Sequence, residues 1–354
     1  MAELDRLLRH LKEQGGSDLH LAAGREPRVR VRGELEPVPG WGVLDDTKLR
    51  ELLKPITAER HWREWLETHD LDFAYGLAGV ARFRANYFEQ EHGAGAVFRM
   101  IPEQVVSLDA LALPPAIAKL AELRHGLVLV TGPTGSGKST TLAAVIDRIN
   151  RESSRHIVTI EDPVEFVHAN VCSVLSHREV GEHTQSFAGA LRGAVRQDAD
   201  VVLVGELRDR DTISMALAAA EMGLLVFGTL HTSGAAKTID RIVDAFPSSE
   251  QAQVRLSLSE SLAAVISQLL LPSKDGKGRV AANEILLRTA GLANLVREGN
   301  TPMIQSLIQS GRKDGMQTLD DALFALVQAG RVDPREAYRK ATDKARFESL
   351  VPNE

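Results

Sequence analysis

The sequence predicts an α/β fold in which a parallel sheet covered by helices follows a smaller α+β domain and precedes a helical C-terminal region. Two observations carry this prediction. From residue 126 onward, apolar runs of strand length alternate with amphipathic segments of helical period, which is the pattern of a parallel sheet with helices on both faces. The 354 residues also exceed the usual size of one domain, about 100–200 residues, so we expect two or three domains.

Residues 1–101 are predicted to form the smaller α+β domain. Leucines at helical spacing predict a first helix that ends at a Gly-Gly-Ser break: Leu4, Leu7, Leu8 and Leu11. Two later segments alternate arginines with apolar residues, which is the period of strands whose arginines share one face: Arg28, Arg30, Arg32, Arg82 and Arg84. Ala94–Ile101 predicts a further strand. We therefore expect a small domain with a basic face.

Residues 102–115 are predicted to be an interdomain linker, because prolines bracket a short apolar stretch there. Residues 116–272 are predicted to form the main domain. Its apolar runs predict parallel strands: Val128–Val130, Ile157–Ile160, Val201–Val204 and Leu224–Phe227.

Residues 273–354 are predicted to form a mainly helical region. A loop at Lys274–Gly278 is expected to separate this region from the core of the main domain. Thr318, with Asp321 three residues later, indicates the start of one helix as a variant of the capping box.

The composition indicates an ordinary soluble protein, with 44% hydrophobic and 25% charged residues. No apolar run has the length of a membrane span, about 18 residues, and the N-terminus lacks a signal-peptide pattern, so a cytoplasmic enzyme is expected. The net charge of -6 argues against nucleic acid as the main partner. The single cysteine, Cys172, permits no intrachain disulfide and is expected to be a small core residue.

The most specific motif is a phosphate loop of the GxxxxGK[ST] type, preceded by a predicted strand and followed by a predicted helix. Its glycines allow successive backbone N–H groups to converge on phosphate oxygens. Lys138 is expected to contact the β and γ phosphates of ATP, and Ser139 to hold Mg²⁺. The predicted nucleotide-binding residues are Gly132, Pro133, Thr134, Gly135, Ser136, Gly137, Lys138, Ser139 and Thr140.

Acidic residues follow two of the predicted strands. Glu206 comes after Val201–Val204 in a Walker B arrangement, where an ionised carboxylate can hold Mg²⁺ or polarise a water molecule. Glu161, Asp162 and Glu165 follow the strand that ends at Ile160, and three carboxylates so close together repel one another unless a metal or an arginine intervenes. Each could instead be a solvated surface charge or a helix cap.

His231 lies directly after the last apolar strand of the main domain. A polar side chain at a strand end beside a nucleotide can sense the γ-phosphate by hydrogen bonding, which is the role that we favour. The alternative is a histidine that is satisfied by neighbouring backbone.

Together these segments resemble the boxes of the type II/IV secretion ATPase superfamily. Its Walker A, Asp, Walker B and His boxes are similar to GPTGSGKSTT, IEDPVEF, VLVGELRD and FGTLHTSGAAKTIDRI. SDLHLAAG near the start and GMQTLDDAL near the end resemble segments of its type IV pilus retraction ATPases. The resemblance covers nearly the whole chain, and the four boxes occur in the order and with the spacing of the family.

This resemblance implies a homohexameric ATPase motor with a RecA-like P-loop domain, a PAS-like N-terminal domain and ATP bound between the two. The implied task is pilus retraction, which produces twitching motility. The implied partners are an inner-membrane platform protein, at which the ATPase would associate peripherally, and other pilus ATPases; no nucleic acid is expected.

The resemblance also implies roles for residues. Glu165 matches the general base of the Asp box, Glu206 the Walker B glutamate and His231 the His-box histidine. Arg82 and Arg84 resemble the arginines that the N-terminal domain offers to the phosphates, and the alternative is a solvated arginine face of the sheet.

The sequence departs from the family pattern at three positions. Leu224 replaces a first histidine of the His box, His125 an arginine before the P-loop strand, and Ala293 an arginine of the retraction motif AIRNLIRE. Three alternatives to the main retraction ATPase stay open: an accessory retraction paralogue, a pilus-assembly or type II secretion ATPase, and a RecA-like nucleic-acid motor. The single cysteine disfavours the second, whose members usually carry a four-cysteine metal site.

Overall fold

The computed structural model describes residues 2–101, 105–276 and 278–351. Tertiary contacts divide the chain into two compact units. The first unit comprises Met1–Gln104 and Pro163–Val167, and the second comprises Val105–Asp162 and His168–Glu354. Of the predicted linker, residues 102–104 lie outside the described residues, and the remainder includes the short helix Leu108–Leu111.

In the described part of the first unit, three α-helices accompany a six-stranded antiparallel sheet. The helices are α1 (Glu3–Glu13), α2 (Asp46–Leu53) and α3 (Glu59–Thr68). The strands are β1 (Asp18–Ala22), β2 (Arg28–Val31), β3 (Glu34–Pro37), β4 (Asp70–Leu77), β5 (Ala81–Gln90) and β6 (Gly93–Ile101). Their order across the sheet is β3-β2-β1-β6-β5-β4.

Alternation along β5 separates a core face from a polar face. Phe83, Ala85 and Tyr87 are fully buried, whereas on the other face Arg82 is partly exposed and Arg84 is about half exposed. The four leucines of α1 are also fully buried, as their helical spacing predicts. The predicted helix and strands of this unit are thereby confirmed except at Arg32, and its core lies between the helices and one face of the sheet.

The prediction that Arg32 continues the arginine strand is wrong. β2 ends at Val31, and Arg32 with Gly33 forms the two-residue turn into β3, with Val31 paired to Glu34. Arg32 has a φ of 51°. A turn of this kind needs positive φ at both central residues to match the twist of the two strands. The backbone angle therefore places Arg32 in the turn, although its side chain continues the alternation of the strand.

The second unit has a seven-stranded sheet of order β13-β12-β7-β11-β10-β8-β9. Its strands are β7 (Gly126–Thr131), β8 (His156–Glu161), β9 (Val174–Glu179), β10 (Val201–Val204), β11 (Leu225–Leu230), β12 (Leu262–Pro272) and β13 (Arg279–Leu287). All neighbouring pairs are parallel except β12 and β13. The parallel α/β architecture is therefore confirmed.

Helices cover both faces of this sheet. The described α-helices of this unit are α4 (Leu108–Leu111), α5 (Pro115–Ala118), α6 (Lys138–Glu152), α7 (Phe187–Val195), α8 (Arg210–Glu221), α9 (Ala235–Asp244), α10 (Gln251–Ser261), α11 (Ala290–Glu298), α12 (Ile304–Ser310), α13 (Leu319–Gln328), α14 (Pro334–Lys340) and α15 (Ala345–Glu348). On β7, Leu127 and Leu129 enter one hydrophobic cluster, and Val128 and Val130 enter another. None of the described helices is long and apolar enough to cross a membrane.

The loop at Lys274–Gly278 does not separate the sheet from a helical region, so this prediction is wrong. It lies in the turn between β12 and β13, which pair antiparallel from Ala264 with Leu287 to Pro272 with Arg279. This hairpin extends the sheet to Leu287, and the helical region begins only after that residue. Lys277 lies outside the described residues.

Cys172 is exposed, so the prediction of a core residue is also wrong. It lies in an irregular segment before β9, where its thiol contacts the carbonyl oxygen of Arg151 at 3.1 Å. The apolar residues on both sides, Val171 and Val174, are exposed as well. The apolar run therefore marks a surface segment and not a buried strand.

The predicted helix start at Thr318 is confirmed. The Thr318 hydroxyl accepts a hydrogen bond from the backbone N–H of Asp321 at the start of α13. The Asp321 carboxylate accepts hydrogen bonds from Arg312 at 2.8 Å and Arg346 at 2.7 Å. Burial alone would raise the pKa of Asp321, but the hydrogen bonds with Arg346 and Thr318 and the charges of both arginines lower it.

We expect Asp321→Asn to destabilise the protein at neutral pH by about 1 kcal/mol, because it removes a charge that two arginines stabilise. A carboxyl with a lowered pKa stabilises the fold above its ordinary pKa and loses this effect as the pH falls through the lowered value. The difference in stability between variant and parent should therefore become smaller in acid, as measured by thermal unfolding between pH 7 and pH 3. Asp314→Asn, at an exposed position, is the control. A difference in stability between Asp321→Asn and the parent that stays constant with pH would contradict the charge mechanism.

Candidate nucleotide site

The predicted phosphate loop joins β7 to α6. β7 is fully buried and ends at Thr131, and α6 begins at Lys138. Gly132 has a φ of 145°, and a Cβ built on it would lie 2.2 Å from the backbone oxygen of Gln268. Only glycine fits at this position, because both the backbone angle and the close neighbouring strand exclude a side chain. The local structure thus has the strand, loop and helix that the motif predicts.

Lys138 folds back over this loop. Its Nζ donates to the backbone oxygens of Gly132 at 2.9 Å and Pro133 at 3.1 Å, and the residue is only 8% exposed. Ser136, 3% exposed, has a buried hydroxyl with no hydrogen-bond partner among the described residues. A glycine cradle, a buried ammonium group and a buried hydroxyl fit a phosphate group, which supplies acceptor oxygens for such donors.

Ser139 and Thr140 occupy the first turn of α6, and both are partly exposed. The backbone N–H groups of a first helical turn have no partners within the helix, and the helix dipole makes this end positive. Pro133, Thr134 and Gly135 form the exposed tip of the loop. All nine predicted nucleotide-binding residues therefore lie on one loop and the helix end that follows it.

The second unit brings Glu206 and His231 together. β10 and β11 are parallel neighbours with Val204 beside Gly228, so the residues that follow the two strands emerge at the same sheet edge. His231 Nε2 lies 3.6 Å from Glu206 Oε1, and Arg208 Nε also lies 3.6 Å from that oxygen. Both distances exceed a hydrogen bond, so the carboxylate faces two groups that can carry positive charge without being locked to either.

The turn after His231 is fixed by two residues that the sequence analysis did not identify. Ser267 on β12 accepts a hydrogen bond from Gly234 N–H at 2.9 Å, and Glu284 on β13 accepts one from Ala235 N–H at 2.8 Å. Burial raises the pKa of Glu284, and hydrogen bonds from the Ala235 and Leu319 N–H groups partly offset this. No local sequence signal marks these residues, because their partners lie tens of positions away.

The Asp-box segment is divided between the units. Glu161 ends β8 in the second unit and is buried, and the adjacent Asp162 is exposed. Glu165 belongs by its contacts to the first unit, where it lines a cavity of about 390 Å³ with Arg82. The structure thus brings together two of the predicted catalytic residues in this unit.

Arg84 is not among the residues that line this cavity. It lies on the same face of β5 as Arg82, about half exposed, with its Nε 3.6 Å from Asp72 on β4. The two arginines, treated alike in the sequence analysis, therefore have different surroundings in the described structure.

The fold and these residues define the class of protein as a P-loop ATPase with an open, largely parallel sheet and a carboxylate at a strand end. The model of the Type II/IV secretion system protein family matches residues 70–347. The chain belongs to this family. The sequence-based expectations of a secretion ATPase with an α/β fold and a helical C-terminal region are confirmed.

Curated relatives resemble the chain over nearly its whole length. It is 48% identical over 339 residues to the type IV pilus retraction ATPase PilT of Pseudomonas aeruginosa, covering 96% of this chain and 98% of the relative. It is 40% identical over 339 residues to the type IV pilus ATPase PilU of the same organism, covering 96% and 88%. The resemblance to pilus retraction ATPases is confirmed.

A solved structure agrees with these relatives. The crystal structure of the pilus retraction motor PilT with bound ADP matches with a TM-score of 0.91 and 42% identity, covering 99% of each chain. The similarity therefore includes the whole fold as well as the boxes, and that protein holds a nucleotide.

We expect Gly132→Ala to weaken ADP binding at least roughly tenfold, because the new Cβ would collide with the Gln268 backbone and displace the loop. Isothermal titration with ADP measures this. Gly135→Ala is the matched comparison: its φ of 75° also disfavours alanine, but a Cβ there meets no atom within 4 Å, so a smaller loss is expected. Equal affinities of Gly132→Ala and the parent protein would show that the loop tolerates the collision.

Proposed function

We propose that this chain is an ATP-hydrolysing motor that powers type IV pilus retraction, the depolymerisation of pilin that underlies twitching motility. The observation that carries this proposal is the 48% identity to a retraction ATPase over 96% of the chain, together with a complete phosphate loop. The ADP held by the related solved structure supports nucleotide as the ligand.

We propose that the residues Gly132–Thr140 hold the phosphates of ATP. Lys138, already over the loop, would exchange its two carbonyl partners for β- and γ-phosphate oxygens. Ser139 and Glu206 would hold Mg²⁺, since hydroxyl and carboxylate oxygens are ligands that suit this ion. When bound, Mg²⁺ neutralises charge on the phosphate oxygens.

Hydrolysis further needs a base and groups that stabilise the developing charge. We propose that Glu165 accepts the proton of the attacking water and that Arg82 offsets charge on the γ-phosphate. The cavity that they share in the first unit supports a joint role. Arg84 is proposed for the same task as Arg82, although it does not line that cavity.

His231 is proposed as the sensor of the γ-phosphate. Its distance of 3.6 Å from Glu206 supports this role, because a phosphate oxygen near the imidazole ring would compete with the Glu206 carboxylate for the interaction with the ring. Leu224, in the position of the family's first His-box histidine, is only partly buried and carries no polar group, so His231 would act alone in this box.

We further propose a homohexamer that acts in the cytoplasm at the inner membrane, against a pilus platform protein and beside other pilus ATPases. Nucleic acid is not proposed as a partner. The second candidate function is that of an accessory retraction paralogue, since the chain is also 40% identical to a second pilus ATPase, PilU. An assembly or type II secretion ATPase is disfavoured by the single cysteine.

We expect Lys138→Ala to abolish phosphate release, because it removes the ammonium group of the phosphate loop. Glu206→Ala should retain ATP but hydrolyse it roughly 100-fold more slowly, because binding rests on the loop while catalysis needs the carboxylate. Phosphate release and retention of radiolabelled ATP measure the two effects. Lys237→Ala and Glu221→Ala, which remove exposed charges on α9 and α8, are matched controls.

Undiminished phosphate release by the Lys138→Ala protein would refute the assignment of the site. Stimulation of the parent enzyme by single-stranded DNA would instead favour a nucleic-acid motor.

Complementation tests the cellular role. In a strain that is piliated but cannot retract its pili, the parent gene should restore surface motility, and the Lys138→Ala gene should not. Pili that remain extended without movement would contradict the main retraction role and favour the accessory paralogue. Restoration by both genes would show that ATP turnover is not what powers the movement.

A further inference from the structure

A single buried amide supports the phosphate loop from behind. Gln268, in the interior of β12, is 1% exposed. Its Nε2 donates to the backbone oxygen of Ser136 at 2.6 Å, and its Oε1 accepts from the hydroxyl of Thr141 at 2.9 Å. Ser136 lies in the loop and Thr141 in the first turns of α6. One side chain therefore connects the sheet both to the loop and to the helix that follows it.

The loop also packs closely on the same residue. A Cβ on Gly132 would lie 2.2 Å from the Gln268 backbone oxygen, and one on Gly137 would lie 3.0 Å from Gln268 Nε2. The first and last glycines of the loop thus both face Gln268. The loop has no room to move toward β12, so its conformation is limited from this side.

The hydrogen bond from Gln268 to the Ser136 carbonyl also determines the direction of the Gly137 N–H group. The Ser136 oxygen and the Gly137 N–H belong to one planar trans peptide, in which C=O and N–H point in opposite directions. Because Gln268 holds the oxygen toward β12, the Gly137 N–H must point to the other side of the loop. Phosphate recognition by a glycine loop depends on the direction of such N–H groups.

Gln268 is itself held in place. Asn283, its partner in the antiparallel register, donates from Nδ2 to Gln268 Oε1 at 2.9 Å. Gln317 donates from Nε2 to the Asn283 backbone oxygen at 2.8 Å, and its own backbone pairs with Ile285. Gln317 belongs to the GMQTLDDAL segment, in which the sequence analysis gave a role to Thr318 and Asp321 but not to Gln317. The chain of amides runs from this segment to the phosphate loop.

We propose that Gln268 is a positioning residue for the ATPase reaction, which orients the phosphate loop through Ser136 and Thr141. The inference rests on the proposed role of Gly132–Thr140 as the phosphate site. A loop that is ordered before the ligand arrives binds more tightly, because less conformational entropy is lost on binding. Only an amide serves here, since the side chain must donate to Ser136 while it accepts from Thr141 and Asn283.

Gln268→Glu tests this role with almost no change of shape. An ionised carboxylate cannot donate to Ser136 O, so the loop loses its orienting bond. The negative charge of this carboxylate would also repel phosphate, and the uncharged variant Thr141→Val separates the two effects. We expect the Kd for ADP and the KM for ATP to rise roughly tenfold, with a smaller change in kcat, because the loop contacts the phosphates before as well as during the reaction.

Asn150→Asp is the matched control. Asn150 is a buried amide of the same unit, also 1% exposed, and it holds a different segment by donating to Ala169 O and accepting from Val171 N–H. Both variants should lower the midpoint of thermal unfolding, but only Gln268→Glu should weaken ADP binding. A purely structural role for Gln268 predicts equal ADP affinity in both variants, and that result would overturn the proposal.

Thr141→Val adds no charge and decides the question whether or not Gln268→Glu folds. It removes one hydroxyl that donates to Gln268 and keeps the branched shape, and we expect the Kd for ADP to rise about threefold. An unchanged Kd would then overturn the proposal. Failure of the parent protein to bind ADP would overturn the proposed function as well. A different result would overturn this inference alone: the parent protein and Gln268→Glu bind ADP equally well, and Lys138→Ala does not bind it.

Discussion

The phosphate loop depends on close contact with a neighbouring strand. Gly132 has a backbone angle that other residues rarely adopt, and β12 lies so near that no side chain fits between them. β12 reaches this position because it pairs in parallel with β7, which leads into the loop. Contact with β12 therefore holds β7, the loop and the first turns of α6, so a substitution in β12 can alter the phosphate site.

The parallel register explains how distant residues meet at one edge. β10 and β11 run side by side, so Glu206 and His231 emerge together although 25 positions separate them. The Thr229 hydroxyl donates to the Gly205 carbonyl, and Leu207 N–H donates to the Thr229 carbonyl at 2.9 Å, which continues the connection beyond the strands. The distance between carboxylate and imidazole therefore follows from backbone pairing and not from a direct bond between the two side chains.

The sequence predicted what short-range patterns determine. The strand, loop and helix around Lys138 and the helix start at Thr318 are local, and each was confirmed. It failed at the loop before Gly278, which proved to be the turn of a hairpin, because the segment after this loop is a strand, β13, that pairs with β12. Gln268 and Glu284 left no local signal, because an apolar strand with two adjacent buried polar residues has the same pattern whether or not those residues hold a loop.

Adjacent pairs on the β12–β13 hairpin carry different chemistry on opposite faces. Gln268 and Asn283 present neutral amides toward the phosphate loop, whereas Ser267 and Glu284, one position along each strand, face the turn before α9. Successive side chains of a strand point to opposite sides, so one hairpin can serve both elements. A carboxylate suits the second face, because it accepts N–H groups from the first turns of α9 and α13, where the helix dipoles are positive. The same charge on the first face would repel phosphate, so an uncharged amide is the side chain that can orient this loop without opposing its ligand.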